Sequence, residues 1–293
     1  MDRRNLFHWG RLFFATTLMF AFTTRAAQAQ TVKPQPLSYD FAQLDYPGAV
    51  ETELTGINNA GEVVGTYQIN NVRHAFRWKQ GVFQNIDFPG AAYTRADGIN
   101  NQGDIVGSYQ MDSPFFGFHP TGFLLTANGF TTIAAPGAQS TEAFDITGRV
   151  IVGDYYDQNF RRHGFRLTGG VFETIDMPGA FNTAARGINA RGTIVGDADN
   201  HGFVLRDGEF TAIPLPGAGE SDAAWDINGR GWIVGGGSGA FGTHGYVLNS
   251  NGFTLIDFPG LRSSLTGVNG LGNVTGSFFD NNARLHGFIG VRR

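Results

Sequence analysis

The chain has 293 residues, 41% of them hydrophobic and 13% aromatic, enough for a sizeable core in one large domain or two small ones. It has no cysteine, which excludes disulfides, thiolate metal sites and a lipidated cysteine; its formal charge of −4 disfavours nucleic acid and anionic membranes as partners. The 43 glycines and 27 phenylalanines point to short strands joined by tight turns.

Residues 1–29 read as a secretory signal. Arg3, Arg4 and Arg11 form a positive head, Leu12 to Thr24 an apolar stretch too short to span a bilayer, and Ala27-Gln28-Ala29 a small-x-small cleavage site. The Arg3-Arg4 pair leaves twin-arginine export open. The segment carries four arginines and one aspartate, so its removal takes the net charge from −4 to −7. Residues 30–40 read as a linker and 41–293 as the folded domain. No second apolar span follows, so the expectation is an exported monomer without a membrane anchor, in the periplasm, at the cell surface or in the medium.

Beyond the linker the chain repeats itself. A phrase Phe-x-x-Ile-Asp-x-Pro-Gly-Ala recurs around Pro47, Pro89, Pro136, Pro178, Pro216 and Pro259. A second, Gly-Ile-Asn-x-x-Gly-x-Ile-Val-Gly, starts at Gly56, Gly98, Asp145, Gly187, Asp226 and Gly267. A third, His-Gly-Phe-x-Leu, starts at His74, Thr121, His163, His201, His244 and His286. Each repeat predicts four strands. The first ends in Gly-Ile-Asn and the second is the Ile-Val-Gly segment, as in Glu62 to Tyr67. Between them Asn58 to Gly61 and its counterparts predict a type I turn with a bulge, Asn entering it and Gly taking the left-handed position. The third copy, Ile146-Thr147-Gly148, lacks the Asn and is one residue shorter, so its turn must differ. His-Gly-Phe-x-Leu is the third strand and Phe-x-x-Ile-Asp the fourth, which the proline stops.

Four short antiparallel strands in each unit of about 40–45 residues is the propeller-blade pattern. The domain opens on a fourth-strand phrase, Phe41 to Gly48, and ends on a third-strand phrase, His286-Gly287-Phe288-Ile289. Pairing the two completes the last blade and removes an open edge. The fold expected is therefore an all-β, six-bladed propeller of four-stranded blades, closed by the N-terminal strand; an open solenoid would leave both ends uncapped.

His74-Ala75-Phe76, with the Ile-Asn-x-x-Gly-x-Ile-Val-Gly phrases, resembles the bacterial extracellular HAF repeat family over about residues 41 to 290. That resemblance implies export and a repeat fold, and no catalytic residue set. Most copies here read His-Gly-Phe.

A ring of His74, His163, His201, His244 and His286 invites a metal site, but the spacing argues for structure. His74 to Asp87, His163 to Asp176 and His244 to Asp257 each span 13 residues with a hairpin between, and His286 would meet Asp45 through the closing strand. These read as cross-strand pairs supporting each blade. The second copy replaces His by Thr121 and Asp by Ala134 together, while the fourth keeps His201 but has Pro214. No catalytic, phosphate-binding or EF-type calcium motif appears, so neither catalytic residue, metal nor cofactor is assigned. Asp154 to Asn159, Asp197 to Asn200 and Asp280 to Asn282 are acidic or amide-rich stretches read as solvated loops rather than calcium sites.

The copies differ most in the two connections at one end of the blade, where binding loops on repeat scaffolds lie. Near that end the slot four residues before Ile reads Glu53, Arg95, Glu142, Ala184, Ala223 and Ser264. Two residues before Ile it reads Thr55, Asp97, Phe144, Arg186, Trp225 and Thr266. Tyr67, Tyr109 and Tyr155 end second strands. Glu53, Arg95, Asp97, Glu142, Arg186 and Trp225, with the three tyrosines, are the candidate binding residues. Aromatics beside carboxylates and amides suit a glycan or other polar polymer. A hydrolase or lyase using Glu53 and Glu142 at the channel mouth is the enzymatic alternative. A purely structural adhesion protein is the third.

Overall fold

The computed structural model describes residues 37–111, 119–213, 218–239 and 242–293. The signal segment, its cleavage site and most of the linker lie outside these residues, as do Pro214 and Pro216. Among the described residues there is no helix, and the strands form six four-stranded antiparallel sheets.

Strand β1 (Tyr39–Gln43) comes first. Blade 1 is β2 (Glu51–Ile57), β3 (Val63–Ile69), β4 (Val72–Lys79) and β5 (Val82–Asn85). Blade 2 is β6 (Tyr93–Ile99), β7 (Ile105–Gln110), β8 (Thr121–Thr126) and β9 (Gly129–Ile133). Blade 3 is β10 (Ser140–Thr147), β11 (Val150–Tyr156), β12 (Arg162–Thr168) and β13 (Val171–Ile175). Blade 4 is β14 (Thr183–Ile188), β15 (Ile194–Ala198), β16 (His201–Arg206) and β17 (Glu209–Ala212). Blade 5 is β18 (Ala218–Ile227), β19 (Ile233–Gly239), β20 (Gly242–Asn249) and β21 (Gly252–Ile256). Blade 6 has β22 (Ser263–Val268), β23 (Val274–Phe279) and β24 (Leu285–Arg292), and β1 pairs antiparallel with β24 as its outer strand. Register runs from Tyr39 opposite Arg292 to Gln43 opposite Phe288. The closing strand thus begins two residues earlier than the expected boundary at 41, because the Tyr39 ring buries itself in the blade 6 core. The six first strands line the axis.

Three local devices repeat. In blade 1 the Asn58 Oδ1 accepts the N–H groups of Ala60 and Glu62, both at 3.0 Å, and Gly61 adopts φ +75°, which gives the expected bulged turn. Blade 3, lacking the Asn, turns instead through a two-residue hairpin at Gly148 and Arg149. After the outer strand, Pro47 and Gly48 occupy a type II turn closed by Ala49 N–H to Tyr46 C=O at 3.1 Å. The Thr52 hydroxyl then accepts the Tyr46 N–H, binding this turn to the next inner strand. Finally, the phenylalanine of His-Gly-Phe is fully buried at Phe76, Phe123, Phe165, Phe203 and Phe288, with Tyr246 in blade 5. The glycine of Ile-Val-Gly lies beneath that ring: a Cβ on Gly65 would sit 2.2 Å from the Glu53 carbonyl oxygen and 2.8 Å from Phe76.

The turn asparagines also join the blades. Asn58 Nδ2 donates to Asn100 C=O, Asn100 to Gly148 C=O, Asn189 to Asn228 C=O, Asn228 to Asn269 C=O, and Asn269 back to Asn58 C=O. The last link, across 211 positions of sequence, closes the circle at the constant end of the propeller.

Candidate functional site

Each inner strand carries a register shift two residues before its Ile, or before Val268 in blade 6, where one residue opposes no partner: Thr55, Asp97, Phe144, Arg186, Trp225 and Thr266. A bulge re-aims the side chain it frees. Here all six line one cavity of about 350 Å³ on the axis, with Glu53, Arg95 and Ser264. A second cavity of about 350 Å³, lined by Arg162, Asp197, Asn200, Asp222 and Gly236, meets it at Arg186, Trp225 and Ser264. Asp145 and Asp226 directly follow the bulged Phe144 and Trp225. Asp145 accepts the N–H groups of Ile146 and Ile188, and Asp226 those of Ile227 and Val268, so each carboxylate ties its own blade to the next. Burial raises both, Asp145 to about 6, and Asp145 adds to the rise of Asp226.

Charge is unevenly placed around this mouth. Arg95 Nε donates to Asp97 Oδ1 at 2.6 Å, with Glu53 3.9 Å from the same guanidinium. Burial pushes Asp97 up to about 7 against the pull of Arg95, and Glu142 and Glu53 add to the rise. Across the mouth Arg186 donates to Asp197 at 2.8 Å, and Arg162 to the other oxygen of Asp197. Burial opposes ionisation of Asp197, but Arg186 and Arg162 outweigh it and hold its carboxyl below the ordinary range. The Arg186 guanidinium lies over Phe144 and Trp225, 4.2 and 4.9 Å from their ring centroids, a cation–π arrangement. Asp154 sits directly across the strand pair from Glu142. Burial and the Glu142 charge push it up to about 8, against Arg186 and Arg162.

The structure therefore brings Glu53, Arg95, Asp97, Arg186 and Trp225 together, with Glu142 beside them acting on Arg95, Asp97 and Arg186. It pairs Glu142 with Asp154 across the strands rather than with Glu53. The tyrosines lie elsewhere. Tyr67 stacks on Tyr46 and Tyr109 on Phe88, ring centroids 3.6 Å apart in both, because the aromatic before the turn proline packs on the end of the second strand. Tyr155 stacks on His163 and bonds Thr174 through its hydroxyl. None of the three lines either cavity. Sequence reasoning left out Arg162 and read the stretches from Asp154 and Asp197 as solvated loops, whereas both aspartates are buried within the second strands β11 and β15. Aligning the residue after Ile-Val-Gly (Thr66, Ser108, Asp154, Asp197, Gly236, Ser277) would have shown a second ring with two carboxylates and a glycine.

The histidines sit outside this mouth, each on its own blade. His74 meets Asp87 at 2.7 Å, His163 meets Asp176 at 2.9 Å, His244 meets Asp257 at 2.6 Å and His286 meets Asp45 at 2.7 Å. Exposed His201 turns to Asp222, at 3.4 Å. His163 and His286 each face a second carboxylate, Asp157 at 3.6 Å and Asp280 at 3.5 Å. Those two aspartates cap their own loops: Asp157 Oδ1 accepts Asn159 and Arg161 N–H, and Asp280 Oδ1 accepts Asn282 and Arg284 N–H. Among the described residues no cluster of three or more His, Asp or Glu is placed to hold a metal ion.

No protein-family model and no curated protein matches the chain. Among solved structures it is similar to regucalcin, a calcium-binding protein of Agrobacterium tumefaciens, with TM-score 0.53 and 11% identity over 87% of this chain and 95% of that one. It is similar to AofleA of Arthrobotrys oligospora, with TM-score 0.51 and 14% identity over 87% and 88% of the two chains. It is similar also to a mutant Aleuria aurantia lectin in complex with alpha-methyl-L-fucoside, with TM-score 0.50 and 10% identity over 88% and 97%. At such identities the likeness is one of fold.

Proposed function

We propose that this chain is an exported propeller of the HAF-repeat type that binds the end of a glycan at the mouth of its axial channel. One observation carries the reading: six equivalent bulges present unlike side chains, Thr55, Asp97, Phe144, Arg186, Trp225 and Thr266, to one cavity. A purely structural ring gains nothing from breaking its own symmetry there, and a flat adhesive face would not be concave. Aromatic faces, hydroxyls and both signs of charge suit a ligand rich in hydroxyl groups. The fold is shared with a lectin crystallised with a fucoside, but the reading rests on the side chains of this chain.

A glycan array with the mature protein, followed by titration of the best binder, tests it. Binding is expected to quench tryptophan fluorescence and to weaken at least about tenfold in Trp225→Ala, in keeping with a buried aromatic contact. An array without hits, together with melting unmoved by polysaccharides, would remove the proposal. N-terminal sequencing of the protein recovered outside the cytoplasm tests export; the expected first residue is Gln30.

A hydrolytic second reading is favoured by Asp154, whose carboxyl remains protonated near neutral pH opposite Glu142. Release of new reducing ends from a bound glycan, abolished in Asp154→Asn, would establish it. A bound glycan recovered intact would exclude it.

A further inference from the structure

We propose that the mouth selects glycans that carry a free amine, taking the ammonium on the carboxylates of blades 1 and 2; this rests on the glycan reading above. Glu53 and Asp97 line the cavity there, Arg95 is their own cation, and Glu142 adds its negative charge from beside them. The two further arginines of the mouth are committed chiefly to Asp197. Asp97 lines the cavity, is only 6% exposed, and spends Oδ1 on Arg95, while its Oδ2 has no hydrogen-bond partner among the described residues. Asp154 Oδ1 is likewise buried without a partner, as are the hydroxyls of Thr66 and Ser108 on the same blades. Buried carboxylate oxygens left unpaired are costly, and a donor that brings positive charge relieves both the missing bond and the like-charge repulsion. An ammonium is such a donor: it offers three N–H bonds and no acceptor.

The choice of an amino sugar over a lysine chain follows from the rest of the site. A lysine delivers its ammonium on a flexible stem that loses rotamer freedom on binding and has nothing for the neighbouring polar groups. An amino sugar carries the ammonium on a rigid ring, with hydroxyls for Thr55, Thr266 and Ser264, and an apolar ring face for Trp225. The cavity, about 350 Å³, is at the small end of the ligand-pocket range of roughly 300–1,000 Å³, which suits a terminal sugar residue.

Calorimetric titration of the mature protein with a glucosamine tetramer, its fully N-acetylated counterpart and tetralysine decides the matter. The amine-bearing tetramer is expected to bind at least about tenfold more tightly than the acetylated one, and tetralysine at least about tenfold more weakly than the amine-bearing sugar. In Glu142→Gln the ratio between the two sugars is expected to fall at least about threefold, and added salt should lower it too. Equal binding of the two sugars would overturn amine selection and leave the glycan reading standing. Tetralysine binding as tightly as the glucosamine tetramer would replace it with plain cation attraction. Neither sugar binding, with an empty glycan array, would remove both.

Discussion

The two ends of the propeller use the same repeats in opposite ways. At the constant end one residue, Asn, does the same thing five times over: its Oδ1 or Nδ2 serves its own turn and the next blade, and the circle closes from Asn269 to Asn58. The one gap, where blade 3 has Thr147 in place of Asn, lies where Asp145 reaches Ile188 instead. At the variable end, equivalent positions carry unlike residues, and bonding is incomplete. Of the seven buried polar side-chain atoms without a hydrogen-bond partner among the described residues, five belong to Thr66, Asp97, Ser108, Asp154 and Arg162 around the mouth. A symmetric, fully bonded ring is what stability alone selects; an asymmetric, under-bonded one is what a site for another molecule requires.

That contrast breaks if the frame proves dispensable. Phe165→Ala empties a fully buried ring position above Gly153, and about 4 kcal/mol of unfolding free energy should be lost in urea titration. Asn269→Ala leaves the Leu271 and Asn273 N–H groups and the Asn58 carbonyl short of a partner, and should cost about 2 kcal/mol by the same measurement. Glu142→Gln at the mouth should stay within about 0.5 kcal/mol of the parent, or exceed it, because it removes charge facing Asp154. A mouth variant that unfolds as readily as the Asn269 variant would erase the distinction drawn between the two ends.

Periodicity made the architecture legible: three phrases in six copies give strand number, and the fourth-strand phrase placed before the first full repeat gives the closure that pairs β1 with β24. The turn role of Asn58 was legible as well, because it is local. Its link to Asn100 was not, because it depends on how close neighbouring turns come about the axis. Slot alignment also singled out Glu53, Arg95, Asp97, Arg186 and Trp225, which line one cavity, since a departure from the repeat stands out against it. It grouped with them Tyr67 and Tyr109, which do not line that cavity. Their aromatic character does repeat, and it co-occurs with Tyr46 and Phe88 before the turn proline, which is the mark of packing. The linker boundary was misjudged because Tyr39 precedes the recognisable phrase yet still joins the core.

Titration sharpens the comparison at a smaller scale. Asp97 and Asp154 have folded pKa values of about 7 and about 8, above those of an unfolded chain near 4. Below pH 4 both states hold these protons. Between there and pH 7 to 8 the unfolded chain has released them and the folded one has not, so stability falls as pH rises through that window. The expected result is that Asp154→Asn gains on the parent between pH 5 and pH 8, by on the order of 1 kcal/mol or about 3 °C in Tm. Parallel pH profiles for the two proteins would show that Asp154 is ionised at low pH like any surface carboxylate.

The smallest effect belongs to the tyrosines. Tyr67 places its hydroxyl 3.3 Å from Asn85, a long bond, while its ring does the packing against Tyr46. Removing only that hydroxyl, in Tyr67→Phe, leaves the stack intact and should change stability by no more than about 0.5 kcal/mol. Ligand affinity should not move at all, since the ring lies between blades and off the axial cavity. A weakened ligand with unchanged melting would mean that the bound molecule reaches outward past the inner strands, and that the variable loops, rather than the bulges, draw the boundary of the site.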